Sequence, residues 1–365
     1  MKVLNLFGLG DTALLFTEHM NALGHDAHLL LSNRQFATQY PNWMRNYEHI
    51  RDKVHIWDCA DLMDPNTLLS LGRYINGFDM VLVHSPGQVY CDLLKVPFCV
   101  WDGGNAREYW HPHRHYDVSV EGARRAYHHA RWTFLNDIDT LYRFGHNFPH
   151  RSFMPLPVDL DTFHPVATPE HTPELEGFVV YFASRQVEEG KHIEAILRGV
   201  AMFVEQVSDV ILWIANYGND LPITKMWVKD LGLEPITHYV PLVSKQRFNE
   251  LLNMADVVID QLAVGGCGGV TWQALASGVP VIVNAWSPWY REGYGETPPV
   301  GNARNAEQVA QWLEHYYYHR ERQQKRIDFV RRHHDAREVT ERVLVQLDRA
   351  ATGDLTDPQL VHCHA

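Results

Sequence analysis

The chain of 365 residues is 45% hydrophobic and 21% charged, which is long for a single hydrophobic core and predicts two domains; no apolar run approaches a membrane span. Its 44 acidic and 32 basic side chains leave a net charge of -12, which argues against a nucleic-acid-binding face, although 23 histidines can reduce that charge below neutral pH. Five cysteines (Cys59, Cys91, Cys99, Cys267, Cys363) show no CxxC spacing, which excludes a disulfide framework and a zinc ribbon. Met1-Lys2 runs directly into an apolar strand with no signal-peptide pattern, so the expectation is a cytoplasmic protein with reduced thiols.

In chain order, short apolar runs at Val3 to Phe7, Ala27 to Leu31, His55 to Trp57, Met80 to His84, Phe98 to Trp101 and Trp132 to Leu135 alternate with helical segments, among them Thr12 to Leu23 and Pro65 to Tyr74. That alternation predicts a parallel sheet with helices on both faces, a Rossmann-like domain. Its first strand-to-helix turn is Gly8-Leu9-Gly10-Asp11-Thr12. Position 13 is Ala13 where a dinucleotide fingerprint would have its third glycine, so the turn either faces a phosphate or acceptor, or is simply tight. Two strands end in polar residues, His84-Ser85 and Asp102-Gly103-Gly104-Asn105, at the carboxyl edge where such sheets bind ligands; Asp102 and His84 are the catalytic candidates. His111, His113 and His115 share a loop with Pro112 and have no carboxylate or cysteine at ligand spacing, so no metal is expected there.

From Arg151 to Pro165 the prolines and aspartates describe a connector, and a boundary is placed between 165 and 166. The second half resumes with strands at Phe178 to Ala183, Val210 to Ala215, Thr237 to Val240, Val257 to Asp260 and Pro280 to Val283. Helices are expected after His192, over Pro222 to Leu231, over Lys245 to Met254 and over Val270 to Ala276. Ala285 to Gly295 reads as an aromatic, glycine-hinged loop able to lie against a sugar or to pack. Asn305 to Arg349 reads as solvated helices with mixed charge, and segment 336–365 as a helix and tail packing toward the first domain.

Four glycines, Gly265, Gly266, Gly268 and Gly269, separate an apolar strand from a short helix. Glycines let the backbone approach an anion closely, and the first turn of the helix presents unpaired N–H groups at its positive end, so this order describes a phosphate site.

The segment resembles the donor-binding stretch of family 4 glycosyltransferases, enzymes of the α/β GT-B fold with two Rossmann-like domains facing across a cleft. Gly268 matches the motif glycine, Gln273-Ala274-Leu275-Ala276 the Glu-Ala-x-Ala run, and Gly278-Val279-Pro280-Val281 its end, while the motif carboxylates fall on Gly265 and Gln273. The resemblance implies that Arg185 and Lys191 clamp a diphosphate. It further implies that Gly268, Gly269 and Val270 cap that diphosphate, that Gln273 meets the ribose, that backbone at Val240 and Leu242 reads the base, and that Gly8 and Gly10 border the cleft. The implied reaction transfers a sugar from a nucleoside-diphosphate sugar, UDP-sugar foremost, to an acceptor hydroxyl, with retained configuration, no metal and no further cofactor. The alternatives are a DNA-modifying glycosyltransferase, a nucleotide-sugar epimerase and a noncatalytic sugar-nucleotide binder.

Overall fold

The computed structural model describes residues 1–8, 11–32, 47–57, 65–85, 87–104, 110, 120–166, 177–263, 265–319 and 323–355. They form two compact units, one of Met1–Pro157 with Ala336–Ala365, the other of Val158–Asp335.

In the first unit seven parallel strands run in the order β3 (Val54–Trp57), β2 (Asp26–Ser32), β1 (Lys2–Leu6), β4 (Met80–His84), β5 (Phe98–Asp102), β6 (Thr133–Leu135) and β7 (Arg151–Phe153). β4 and β5 are buried along their whole length, as strands covered on both faces must be, and this explains their unbroken apolar sequences. One face is covered by the helix Thr12–Ala22 and by the last helix, Ala336–Thr352. Val339, Val343 and Leu347 lie on one stripe of that last helix and join Phe16, Met20, Leu82 and Trp101 in a single core.

The second unit has six parallel strands in the order β10 (Thr237–Val240), β9 (Val210–Ala215), β8 (Phe178–Phe182), β11 (Val257–Ile259), β12 (Val281–Val283) and β13 (Gly301–Asn302). Its main core joins β8, β9 and β11 to the helices Ile193–Val204 and Ala306–Tyr318. Because every strand is parallel, the loops after β8, β9, β10, β11 and β12 all emerge at one edge of this sheet.

The units divide after Pro157, eight residues before the 165/166 division read from the connector. The reason is packing. Val158 and Phe163 are each 2% exposed, Phe163 meets Phe248 edge-on, and the His164 carbonyl accepts from the Asn249 and Asn253 side-chain amides, so this stretch belongs to the second core. Segment 285–295, expected as a loop, contains the helix Ser287–Tyr294. It has Pro288 in its first turn and ends on Gly295 at φ 75°, the left-handed cap that glycine provides.

Candidate functional site

β11 is followed directly by Asp260, which is 0% exposed and takes four side-chain or backbone donors on its two oxygens. Oδ1 accepts from the Ser184 hydroxyl at 2.5 Å and from the Lys191 ammonium at 3.1 Å. Oδ2 accepts from the Gly268 amide at 3.0 Å and the Thr271 hydroxyl at 2.7 Å. Burial opposes ionisation of this carboxyl, but the Lys191 charge and the hydrogen bonds from Ser184, Thr271 and Lys191 outweigh it and hold Asp260 below the usual carboxylate range. One carboxylate thus ties together the loop after β8, the loop after β11 and the first turn of the helix Gly269–Ala276.

Gly268 is required by that closeness. A Cβ there would lie 2.8 Å from Asp260 Oδ2, the atom that accepts its own N–H. Lys191 has a second partner, Gln261 Oε1 at 2.7 Å, and Gln261 in turn donates to the Gly266 carbonyl at 2.5 Å. The Cys267 amide donates to the Tyr290 hydroxyl at 2.5 Å. Tyr290 and Tyr294 are buried around Trp272 on the same helix, so the aromatic segment is anchored to the glycine loop. Trp286, 37% exposed, stays at the surface beside Gly265, whose carbonyl accepts from its amide.

The loop after β8 is fixed against the loop after β9. The Gln186 amide donates to the Tyr217 carbonyl, the Gln186 carbonyl accepts from the Asp220 amide, and Asp220 Oδ2 accepts from the Glu188 amide. Gly218, at φ 123°, makes this possible, since a Cβ would fall 2.2 Å from the Gln186 carbonyl oxygen. Arg185, between the buried Ser184 and Gln186, is exposed, and its side chain has no hydrogen-bond or ion-pair partner among the described residues. Its charge is felt by Tyr217: burial pushes that phenol up, Arg185 opposes the shift and Asp260 adds to it.

The sequence-predicted residues therefore separate into groups. Lys191 and Gly268 meet on Asp260, with Arg185 one residue beyond Ser184, and Gly269 and Val270 continue the helix start at partial exposure. Gln273 is partly exposed on the same helix, one turn further on. Val240 ends β10, and its carbonyl accepts from the Asn216 amide; Leu242, two residues later, is partly exposed.

In the first unit His84 is 2% exposed and shares a hydrogen bond with Asn5 Oδ1 at 3.1 Å. Asn5 Nδ2 already donates to Thr17, so the His84 Nε2 is the donor. Burial lowers the imidazole to about 3, leaving it neutral at ordinary pH. Asp102 is 0% exposed, accepts from the Tyr127 hydroxyl at 2.7 Å and the Gly104 amide at 3.2 Å, and Tyr127 accepts from Gln88. Both side chains are thus held inside the unit. Gly8, at φ 147°, follows Phe7, a fully buried non-glycine residue at φ 62°, so backbone strain collects where β1 ends. Gly10, His111, His113 and His115 lie outside the described residues. Among the described residues no group of three or more His, Cys, Asp or Glu side chains could hold a metal ion.

Residues 167–327 match the family model described as glycosyl transferases group 1, a span that contains Arg185, Lys191, Asp260 and the helix from Gly269. That match lies within the second unit, Val158–Asp335. Over the whole chain the likeness is one of fold, and the architecture is GT-B. Sucrose-phosphate synthase from Thermosynechococcus elongatus superposes with a TM-score of 0.73 at 13% identity, covering 97% of this chain and 100% of that one. Anabaena HepE, crystallised with UDP-glucose, gives 0.72 at 14% identity over 95% and 99% of the two chains. A UDP-N-acetylglucosamine 2-epimerase gives 0.58 at 13% identity over 94% of each. Curated protein sequences give no match. No helix among the described residues is long and apolar enough to cross a membrane.

The site residue in the second unit that the sequence pattern did not single out is Asp260. A signal existed: an acidic residue closing an apolar strand, as Asp102 closes β5. Its partners Ser184 and Lys191 lie 76 and 69 residues away, and nothing in the local pattern links them.

Proposed function

We propose that this protein transfers a sugar from a nucleoside-diphosphate sugar, with UDP as the nucleotide, to an acceptor hydroxyl. The observation that carries the reading is the helix start at Gly269, fixed by the Gly268 amide on Asp260, with the exposed Arg185 one residue from Ser184 on the same carboxylate. Unpaired amides at the positive end of a helix, together with one uncompensated guanidinium, suit a diphosphate in the ground state. They suit the departing nucleoside diphosphate better, because negative charge grows on it as the glycosidic bond breaks. Gln273, one turn along, would accept from and donate to the ribose diol. Backbone near Val240 and Leu242 would face the base.

With protein cations and amides taking the leaving-group charge, the reaction needs no divalent ion. Retention follows if the acceptor attacks from the side the leaving group departs and gives its proton to the departing phosphate. Asp102 and His84 enter this scheme as groups that shape the first unit: a neutral imidazole donating to Asn5 and a carboxylate taken up by Tyr127 and Gly104 can hold a loop in place but do not present a general base. The likeness to an epimerase supports a second reading, in which the protein converts the nucleotide sugar without an acceptor. That chemistry needs acid and base groups facing the sugar, and the carboxylate nearest the helix start, Asp260, has both oxygens occupied.

The test is turnover of a UDP-sugar panel with and without EDTA, with product analysis. Release of UDP that survives the chelator supports the proposal. Isomerised nucleotide sugar without UDP release would favour the epimerase, and UDP release abolished by EDTA and restored by one metal would remove the metal-free assignment.

A further inference from the structure

Lys191 is not a free cation in this structure. An ammonium has three hydrogens. One is on Asp260 Oδ1 and one on Gln261 Oε1, leaving a single donor for any ligand. Its charge is balanced by a fully buried carboxylate, and its side chain is only 17% exposed. Arg185, three residues before the helix turn that carries Lys191 to Asp260 and one after Ser184, is a cation with no hydrogen-bond or ion-pair partner among the described residues.

We propose that Asp260 is a positioning residue of the donor site, which fixes the Lys191 ammonium and the Gly268 amide on the two oxygens of one carboxylate. Two consequences follow for the division of labour. Arg185 supplies the uncompensated charge that meets the diphosphate. Lys191 contributes one directed hydrogen bond and, more importantly, keeps Asp260 from presenting a bare negative charge behind the ligand. Removing Lys191 alone therefore does double damage: a donor is lost and a buried anion is left beside a site meant for an anion. Removing both charges restores neutrality, because an asparagine at 260 can still accept from Gly268 and Thr271 through its oxygen while its amide faces Ser184.

This inference rests on the nucleoside-diphosphate reading but is tested separately from it. UDP affinity is measured by calorimetric titration for wild type, Lys191→Met, Asp260→Asn and the double variant, with circular dichroism and melting as controls of folding. The expected result is a loss of about a hundredfold in Lys191→Met and recovery to within about tenfold of wild type in the double variant. A folded double variant that binds UDP no better than Lys191→Met would overturn the assignment. Where a variant at 260 does not fold, Lys191→Met decides alone through the NMR signal and hydrogen exchange of the Gly268 amide without ligand. Lys191 and Gly268 are joined through the two oxygens of Asp260, so a shifted, faster-exchanging Gly268 amide supports the coupling and an unchanged one refutes it. If wild type binds no nucleoside diphosphate, the functional reading fails while the amide measurement still judges the positioning role.

Discussion

His84 offers a sharp test of the first unit because its environment predicts a proton that cannot bind. The ring is 2% exposed, packed beside Phe16 and Trp101, and donates from Nε2 to Asn5. Burial takes it from an ordinary value of 6.5 to about 3. The unfolded chain binds a proton below the ordinary value and the folded chain does not, so stability is complete above pH 6.5 and falls as pH drops toward the folded value. At about pH 5 the loss amounts to 1.5 pH units at 1.36 kcal/mol each, about 2 kcal/mol, from this one residue. His84→Gln keeps a donor for Asn5 and cannot titrate. Urea unfolding of wild type and His84→Gln between about pH 7.5 and pH 5, followed by tryptophan fluorescence, should show the wild type losing about 2 kcal/mol more than the variant over that interval. Equal pH dependence in the two proteins would show that His84 titrates freely, and the buried-donor account of β4 would be wrong.

Three further outcomes are expected. Gly218→Ala places a side chain at φ 123° against the Gln186 carbonyl and should destabilise the second unit by about 1–3 kcal/mol in urea unfolding; a loss below about 0.5 kcal/mol would mean the loops after β8 and β9 are not held as described. Tyr290→Phe removes the oxygen that accepts from the buried Cys267 amide and should cost about 1–3 kcal/mol of stability, with faster hydrogen exchange at that amide; unchanged exchange would sink the idea that Tyr290 anchors the glycine loop. Gln273→Ala should weaken UDP binding while binding a 2′,3′-dideoxy nucleotide as wild type does; equal discrimination between the two sugars by both proteins would remove Gln273 from the ribose.

Much of the fold was legible because buried parallel strands announce themselves. Val257 to Val283 reads as strand, glycine loop, helix and strand, and the helix was placed within a residue of Gly269–Ala276. Val210–Ala215, Thr237–Val240 and Lys245–Met254 likewise have the bounds read from the sequence. What was not legible is what distant loops do to each other. Asp260 looked like the last residue of a strand, and only folding brings Ser184, Lys191, Gly268 and Thr271 to it. The same holds for Asp102: its polar character at a strand end was visible, but its capture by Tyr127 was not. The helix Ser287–Tyr294 carried its signals in Pro288 and Gly295, yet the half-buried Trp289 and the exposed Trp286 before it, set beside the buried Tyr290 and Tyr294, hid the helical period. Of the basic run near the C-terminus, Arg326 is 3% exposed, Arg332 pairs with Glu296 and Arg337 with Glu341, so a run that looked like a solvated face is partly core and largely paired.

A nucleoside diphosphate is expected to bind at the helix start of the second unit, with Arg185 as its uncompensated cation. Calorimetric titration of UDP into wild type and Arg185→Ala at low and high salt tests it most directly. Arg185→Ala should weaken binding by on the order of 1.5–3 kcal/mol, the range for hydrogen bonds to charged groups, and should flatten the salt dependence. Unchanged affinity and unchanged salt dependence in a folded Arg185→Ala protein would contradict it.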